Sequence, residues 1–115
     1  MKENKVIYRT EHNPYTGKWE CIALFPEFPA NFGRIVYYHP NDGWGECPIE
    51  YYWKTKKPKS EDYAELHKYL LNEFEHPMDG EEPETLVIRQ NIRKDMTDKA
   101  WSWRKTNKLG GYYES

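Results

Sequence analysis

The chain has 115 residues, the length of one domain rather than two. Ile, Leu, Val and Phe make up about 17% of it, below the roughly 20% expected of a folded chain, yet the net charge is only −2 and aromatics reach 17%, with ten Tyr and five Trp. Low net charge and abundant aromatics exclude a disordered chain, and a mean hydropathy of −1.09 with no apolar run near 18 residues excludes a membrane-spanning helix. The reading is a folded, very polar α+β domain with an aromatic core.

The first residues carry no apolar stretch of the kind a secretory signal needs. Residues 6–10 (Val-Ile-Tyr-Arg-Thr) are rich in β-formers and predict a first strand. Asn13-Pro14 starts a turn, and Gly17 suits the positive φ needed to leave it. Residues 18–25 predict a second strand, joined to the first by a hairpin loop of about six residues. Trp19, Cys21, Ala23 and Phe25 fall on one face of that strand, Ile22 and Leu24 on the other. Apolar groups on both faces mark a central strand. Pro26 and Pro29 end it, since proline cannot donate to a ladder. Residues 34–39 predict a third strand, 40–45 a turn cluster, and 49–54, with its aromatic stripe, a short fourth strand.

Ser60 reads as the N-cap of a helix over 60–75, with Glu61 and Asp62 at the positive end of its dipole. Tyr63, Leu66, Leu70 and Phe74 form a helical stripe widened by Leu71, and Pro77 stops the helix. Residues 78–84 form an acidic loop, 86–89 a last strand, and 92–106 a second helix on the spacing of Ile92, Met96, Ala100 and Trp103. Gly110-Gly111 closes it, leaving a tail over 110–115. The predicted fold is therefore one α+β domain over 1–115. Three or four antiparallel strands are covered by one helix, with a C-terminal strand and helix.

Two resemblances bear on this order. Glu20-Cys21-Ile22-Ala23-Leu24-Phe25-Pro26-Glu27, then Tyr37-Tyr38-His39, then Tyr63-Ala64-Glu65-Leu66, resembles a family of small uncharacterised bacterial and phage proteins with an A-L-F-P-E strand end. The resemblance covers roughly residues 5–75 and implies a fold, the family's function being unassigned; an accessory role in a phage or mobile element, acting on a host protein, is the expectation that a small, aromatic-rich chain without catalytic motifs suggests. Asp42-Gly43-Trp44-Gly45 stands where that family carries a glycine-glutamine-histidine segment. Separately, the stretch Ala23-Leu24-Phe25-Pro26-Glu27-Phe28-Pro29-Ala30 is similar to the strand end of HicB-type antitoxins, with Ala30 in place of a glycine. That similarity implies a β-β-β-α-β-α fold and neutralisation of a small RNase toxin.

No catalytic, metal or nucleotide signature is present, so neither an enzyme nor a cofactor is expected. His12, His39, His67 and His76 lack metal-ligand spacing, and Cys21 and Cys47 form no C-x₂-C pair. His39 with Cys21 and Cys47 is the sole zinc combination to weigh, against an ordinary strand histidine. Both cysteines read as free thiols packed as small apolar groups in a reducing cytosol, a Cys21–Cys47 bridge being the alternative. Glu27, Asp42, Glu46 and Glu50 are the carboxylates weighed for acid–base pairing, against solvated loop charges.

Charge is segregated. Residues 1–60 carry +2, 61–84 carry −8 and 85–115 carry +4. Basic residues interleave with Trp101, Trp103, Tyr112 and Tyr113 at the C-terminal end, so Arg104, Lys105 and Lys108 are the candidates for nucleic acid. The aromatic excess points elsewhere. Tyr and Trp are interface anchors, and a domain this small cannot bury nineteen aromatics. The expectation is a non-enzymatic, cytoplasmic protein-binding module using Trp44, Tyr51, Trp53 and Trp101. The alternatives are nucleic-acid or antitoxin-type binding, and a homodimer through a strand edge.

Overall fold

A computed structural model describes residues 2–90 apart from Phe32. The expected helix over 92–106, the tail over 110–115, Trp101, Arg104, Lys105 and Lys108 lie outside the described residues.

Strands β1 (Lys2–His12) and β2 (Trp19–Phe25) form the expected hairpin. Asn13 Oδ1 accepts the backbone N–H groups of Tyr15 and Thr16, and Gly17 leaves the turn at φ +74°. The carboxamide thus substitutes for a backbone turn and glycine for the disfavoured conformation. β3 (Arg34–His39) and β4 (Gly43–Pro48) complete an antiparallel meander, and β5 (Glu84–Ile88) pairs with β1. The sheet order is β4-β3-β2-β1-β5, so β2 is the central strand, as its two apolar faces require.

The expectation of an antiparallel sheet of three or four strands is corrected to a mixed sheet of five, because β5 runs parallel to β1. Parallel neighbours need a crossover. Helix α1 (Ser60–Glu75) supplies it, carrying the chain from the β4 edge to the β1 edge. Its stripe docks as expected: Leu66 and Leu70 join Val6, Tyr8, Ala23, Phe25 and Leu86 in a buried cluster flanked by Tyr63, Leu71 and Phe74. The helix begins at Ser60, so Lys59 rather than Ser60 is the N-cap, and Asp62 accepts the Lys59 backbone N–H at 2.7 Å.

The strand expected over 49–54 is instead a 3-10 helix, Ile49–Lys54. Strand spacing would line up Ile49, Tyr51 and Trp53. The 3-10 repeat of three eclipses Ile49 with Tyr52 instead, and both pack on the opposite sheet face against Ile7, Ile22, Leu24 and Ile35. Arg9 fixes the segment. Its guanidinium lies 4.2 Å from the centre of the Tyr52 ring and donates to Thr55 Oγ1 and Thr55 O at 2.8 Å. The fourth strand is formed six residues earlier, at Gly43–Pro48, and its first three residues fall in the stretch read as a turn. Gly45 sits in it because a Cβ there would lie 2.9 Å from Cζ of Tyr37. Among the described residues no helix is long and apolar enough to cross a membrane.

Candidate functional site

The sheet presents two different surfaces. On the α1 face, Trp44 follows Gly43, whose φ of +81° turns the chain into β4. Its indole packs 5.0 Å from Phe25 and 5.1 Å from Tyr38, with Phe28 and Phe74 just beyond 6 Å, measured between ring centroids. Despite these neighbours it remains 52% exposed. Beside it a cavity of about 380 Å³ runs under the C-terminal end of α1, with Phe74 and the 81% exposed Met78 in its wall. Glu73, Glu81, Glu82 and Glu84 rim the same cavity. The last turn of α1 holds no basic residue, so the negative end of its dipole adds to these carboxylates.

Tyr51 and Trp53 do not join Trp44, because both belong to the 3-10 helix over the other face. Trp53 is 57% exposed and meets Tyr52 edge-on at 4.7 Å. Tyr51 is half-buried and donates its hydroxyl to Glu11 Oε1. Burial first, and then that hydrogen bond to a carboxylate, push its phenol pKa above the ordinary value.

Tyr51 leads to a cluster that the sequence reading did not assemble. Glu11 on β1 and Glu20 on β2 are directly opposite in the hairpin register. His39, at the end of β3, sets its Nε2 3.3 Å from Glu11 Oε2 and 3.2 Å from Glu20 Oε1. Ligand-type atoms of these three residues lie within 4.8 Å of one another. The available signal was the hairpin itself: a six-residue loop over 13–18 places Glu11 opposite Glu20. A first strand ended at residue 10 hides it.

The ring's orientation is fixed by the adjoining turn. His39 Nδ1 accepts the backbone N–H of Asn41 at 3.0 Å and of Asp42 at 3.3 Å. Nε2 meanwhile points at the two carboxylates. His39 is buried, and the cavity beside it, about 250 Å³, is lined by Tyr37, Tyr51, Asp42, Glu46 and Cys47.

The zinc combination of His39 with both cysteines is not assembled, because Cys21 packs on the α1 face. Cys21 and Cys47 are free thiols. Burial pushes Cys21 up to about 12 and Cys47 up to about 11, the latter against the lowering effect of Arg34. Of the four carboxylates weighed for acid–base pairing, Glu46 is held by Arg34 and Asn31, Glu27 faces Lys5 at 3.9 Å, and Glu50 is exposed. Asp42 borders the His39 cavity. The chain matches no family model, no curated protein and no solved structure.

Proposed function

We propose that this chain is a non-enzymatic protein-binding module whose anchor is Trp44 and whose partner presents a basic segment with an apolar side chain. The observation that carries the reading is the half-exposed indole at the head of an acidic cavity. An aromatic ring held by neighbours yet open to solvent offers contact area at small entropic cost. The surrounding glutamates steer a cationic segment toward it and fix its register. The cluster of Phe25, Phe28 and Phe74 behind the indole resists displacement, so the anchor is preorganised. Against catalysis by a cysteine, both thiols are held protonated at neutral pH by burial.

The test is selection from a random peptide library displayed on the wild-type protein, followed by affinity measurement on the enriched sequences. Enriched peptides should combine Lys or Arg with an aromatic or aliphatic residue. Trp44→Ala should weaken them by about 2 kcal/mol, roughly thirtyfold, whereas Tyr15→Ala, at a 96% exposed residue of the first hairpin loop, should leave them unchanged. Enrichment of peptides indifferent to Trp44→Ala would refute the reading. So would tight binding of random DNA or RNA at about 0.15 M salt that is lost when Arg104, Lys105 and Lys108 are changed together.

A further inference from the structure

We infer that the Trp44 groove is covered within the same molecule by the chain's own residues 99–108, so that an outside partner must displace them. This rests on the reading of the groove as a site for a basic segment with an apolar side chain, and it names the first such segment the groove meets. The groove wall is built from residues 73–84 and Trp44. Residues 73–84 hold six carboxylates and no Lys or Arg, and the half-exposed Trp44 and exposed Met78 stand open among them. Glu73 accepts the Tyr69 hydroxyl at 3.1 Å and Glu84 the Asn4 carboxamide at 2.7 Å, neutral donors that bring no positive charge. Residues 99–108, outside the described residues, are the complement in sequence: Lys99, Arg104, Lys105 and Lys108 with no carboxylate, interleaved with Trp101 and Trp103. Opposite charges at the rim set the register, and an indole completes the apolar floor of Trp44, Phe74 and Met78.

Position and length select this segment. The other basic run, Lys54 to Lys59, holds four lysines but no aromatic residue. It precedes α1, whose sixteen residues put about 24 Å between it and the groove at the far end of the helix. Its Lys56 Nζ already lies 4.5 Å from the centre of the Trp19 ring. Residues 99–108 begin nine residues after Gln90, whose carbonyl accepts the Tyr52 hydroxyl at 3.4 Å just past the end of β5. From Gln90 back to Glu84 in the groove wall is six residues, about 20 Å at the rise of a strand. Nine residues span at most about 30 Å, so the segment reaches the groove of its own molecule. A tether of this length gives an effective concentration on the order of 1 mM, which a second copy matches only in a solution of millimolar protein. With a Kd of about 0.1 mM for the free segment, the tethered one covers about ten grooves for each left open.

The probe is a fluorescein-labelled synthetic peptide of residues 99–108. It is titrated with the full wild-type chain, with a full-length variant carrying Trp101→Ser, Trp103→Ser, Arg104→Ser and Lys105→Ser, and with that variant plus Trp44→Ala. The fourfold variant should bind the probe about tenfold more tightly than wild type, because its own segment no longer competes, and Trp44→Ala should abolish that binding. In the wild-type chain, carbodiimide coupling should join Lys99, Lys105 or Lys108 to Glu81, Glu82 or Glu84 within the monomer, a readout that needs no variant to fold. Equal probe affinity in wild type and the fourfold variant, with binding lost on Trp44→Ala, would overturn the covering in cis and leave the reading of the groove standing. Probe binding indifferent to Trp44→Ala would overturn both. Couplings confined to a dimer would assign the segment to a second copy and overturn the inference, as would a monomer with none.

Discussion

Leu70→Ala tests whether α1 holds the sheet. Leu70 is 1% exposed and lies in the cluster with Val6, Tyr8, Phe25, Leu66 and Leu86. The substitution removes three carbons from a fully buried site, about 2.4 kcal/mol at ~0.8 kcal/mol each. The space left behind adds to this, because its walls cannot close in. Tyr8 is clamped by stacking on Tyr63 at 4.7 Å and by the 2.8 Å hydrogen bond between its hydroxyl and His67 Nδ1. Phe25 is held between Phe28 and Phe74. A cost of about 3–4 kcal/mol follows, in the middle of the range for buried leucines. Leu71, half-buried at the edge of the stripe, should cost only about 1 kcal/mol on the same scale. Urea unfolding followed by tryptophan fluorescence measures both. A Leu70→Ala loss under about 1 kcal/mol, or one no larger than that of Leu71→Ala, would mean that the helix does not seal the sheet.

Two further predictions concern chemistry at the cysteines and metals. With Cys21 pushed up to about 12 and Cys47 up to about 11 in the folded protein, above their ordinary 9.0, burial of the neutral thiols stabilises the fold fully below pH 9. That stability is lost as pH rises through 11–12, because the unfolded chain gives up its thiol protons first. Melting temperature should therefore fall across this window, and alkylation of the native protein at pH 8 should be slow; modification as fast as in urea would refute the assignment. Removing divalent metal with EDTA should leave the melting temperature unchanged, since His39 and the two cysteines are not assembled as a zinc site. A clear drop, or zinc in elemental analysis of the untagged protein, would contradict it.

How much of this was readable from sequence differs between elements for physical reasons. β2 was legible because alternation with apolar groups on both faces has one explanation, a strand buried on both sides. Helix α1 was legible because its stripe runs over three turns and its first turn is acidic. The segment 49–54 was not, because Tyr-Tyr-Trp satisfies strand preference. Ile49, Tyr51 and Tyr52 all pack on the same sheet face, which strand alternation does not foresee, and that packing is a tertiary fact. Gly45 misled for a related reason: a strand glycine is indistinguishable from a turn glycine until the Tyr37 ring that excludes its Cβ is placed. The direction of β5 had no local signal at all. It follows from where α1 delivers the chain.

The site divides in the same way. Trp44 could be singled out as an anchor because a tryptophan flanked by glycines in a polar stretch has little local surface to hide in. Its groove could not, since Glu73, Met78 and Glu84 converge only once α1 and β5 are positioned. The Glu11–Glu20–His39 cluster lies between these cases. The first pair is fixed by where the hairpin loop falls: a loop over 13–18 sets Glu11 against Glu20, whereas a second strand begun at Lys18 shifts the register. His39 arrives through a second pairing, β2 with β3. Its role depends on which nitrogen meets the Asn41 and Asp42 N–H groups, a property of backbone direction rather than residue type. The same histidine could have served as metal ligand, ion-pair partner or turn lock on composition alone. The structure shows it as a turn lock: Nδ1 takes the Asn41 and Asp42 N–H groups while Nε2 lies against Glu11 and Glu20.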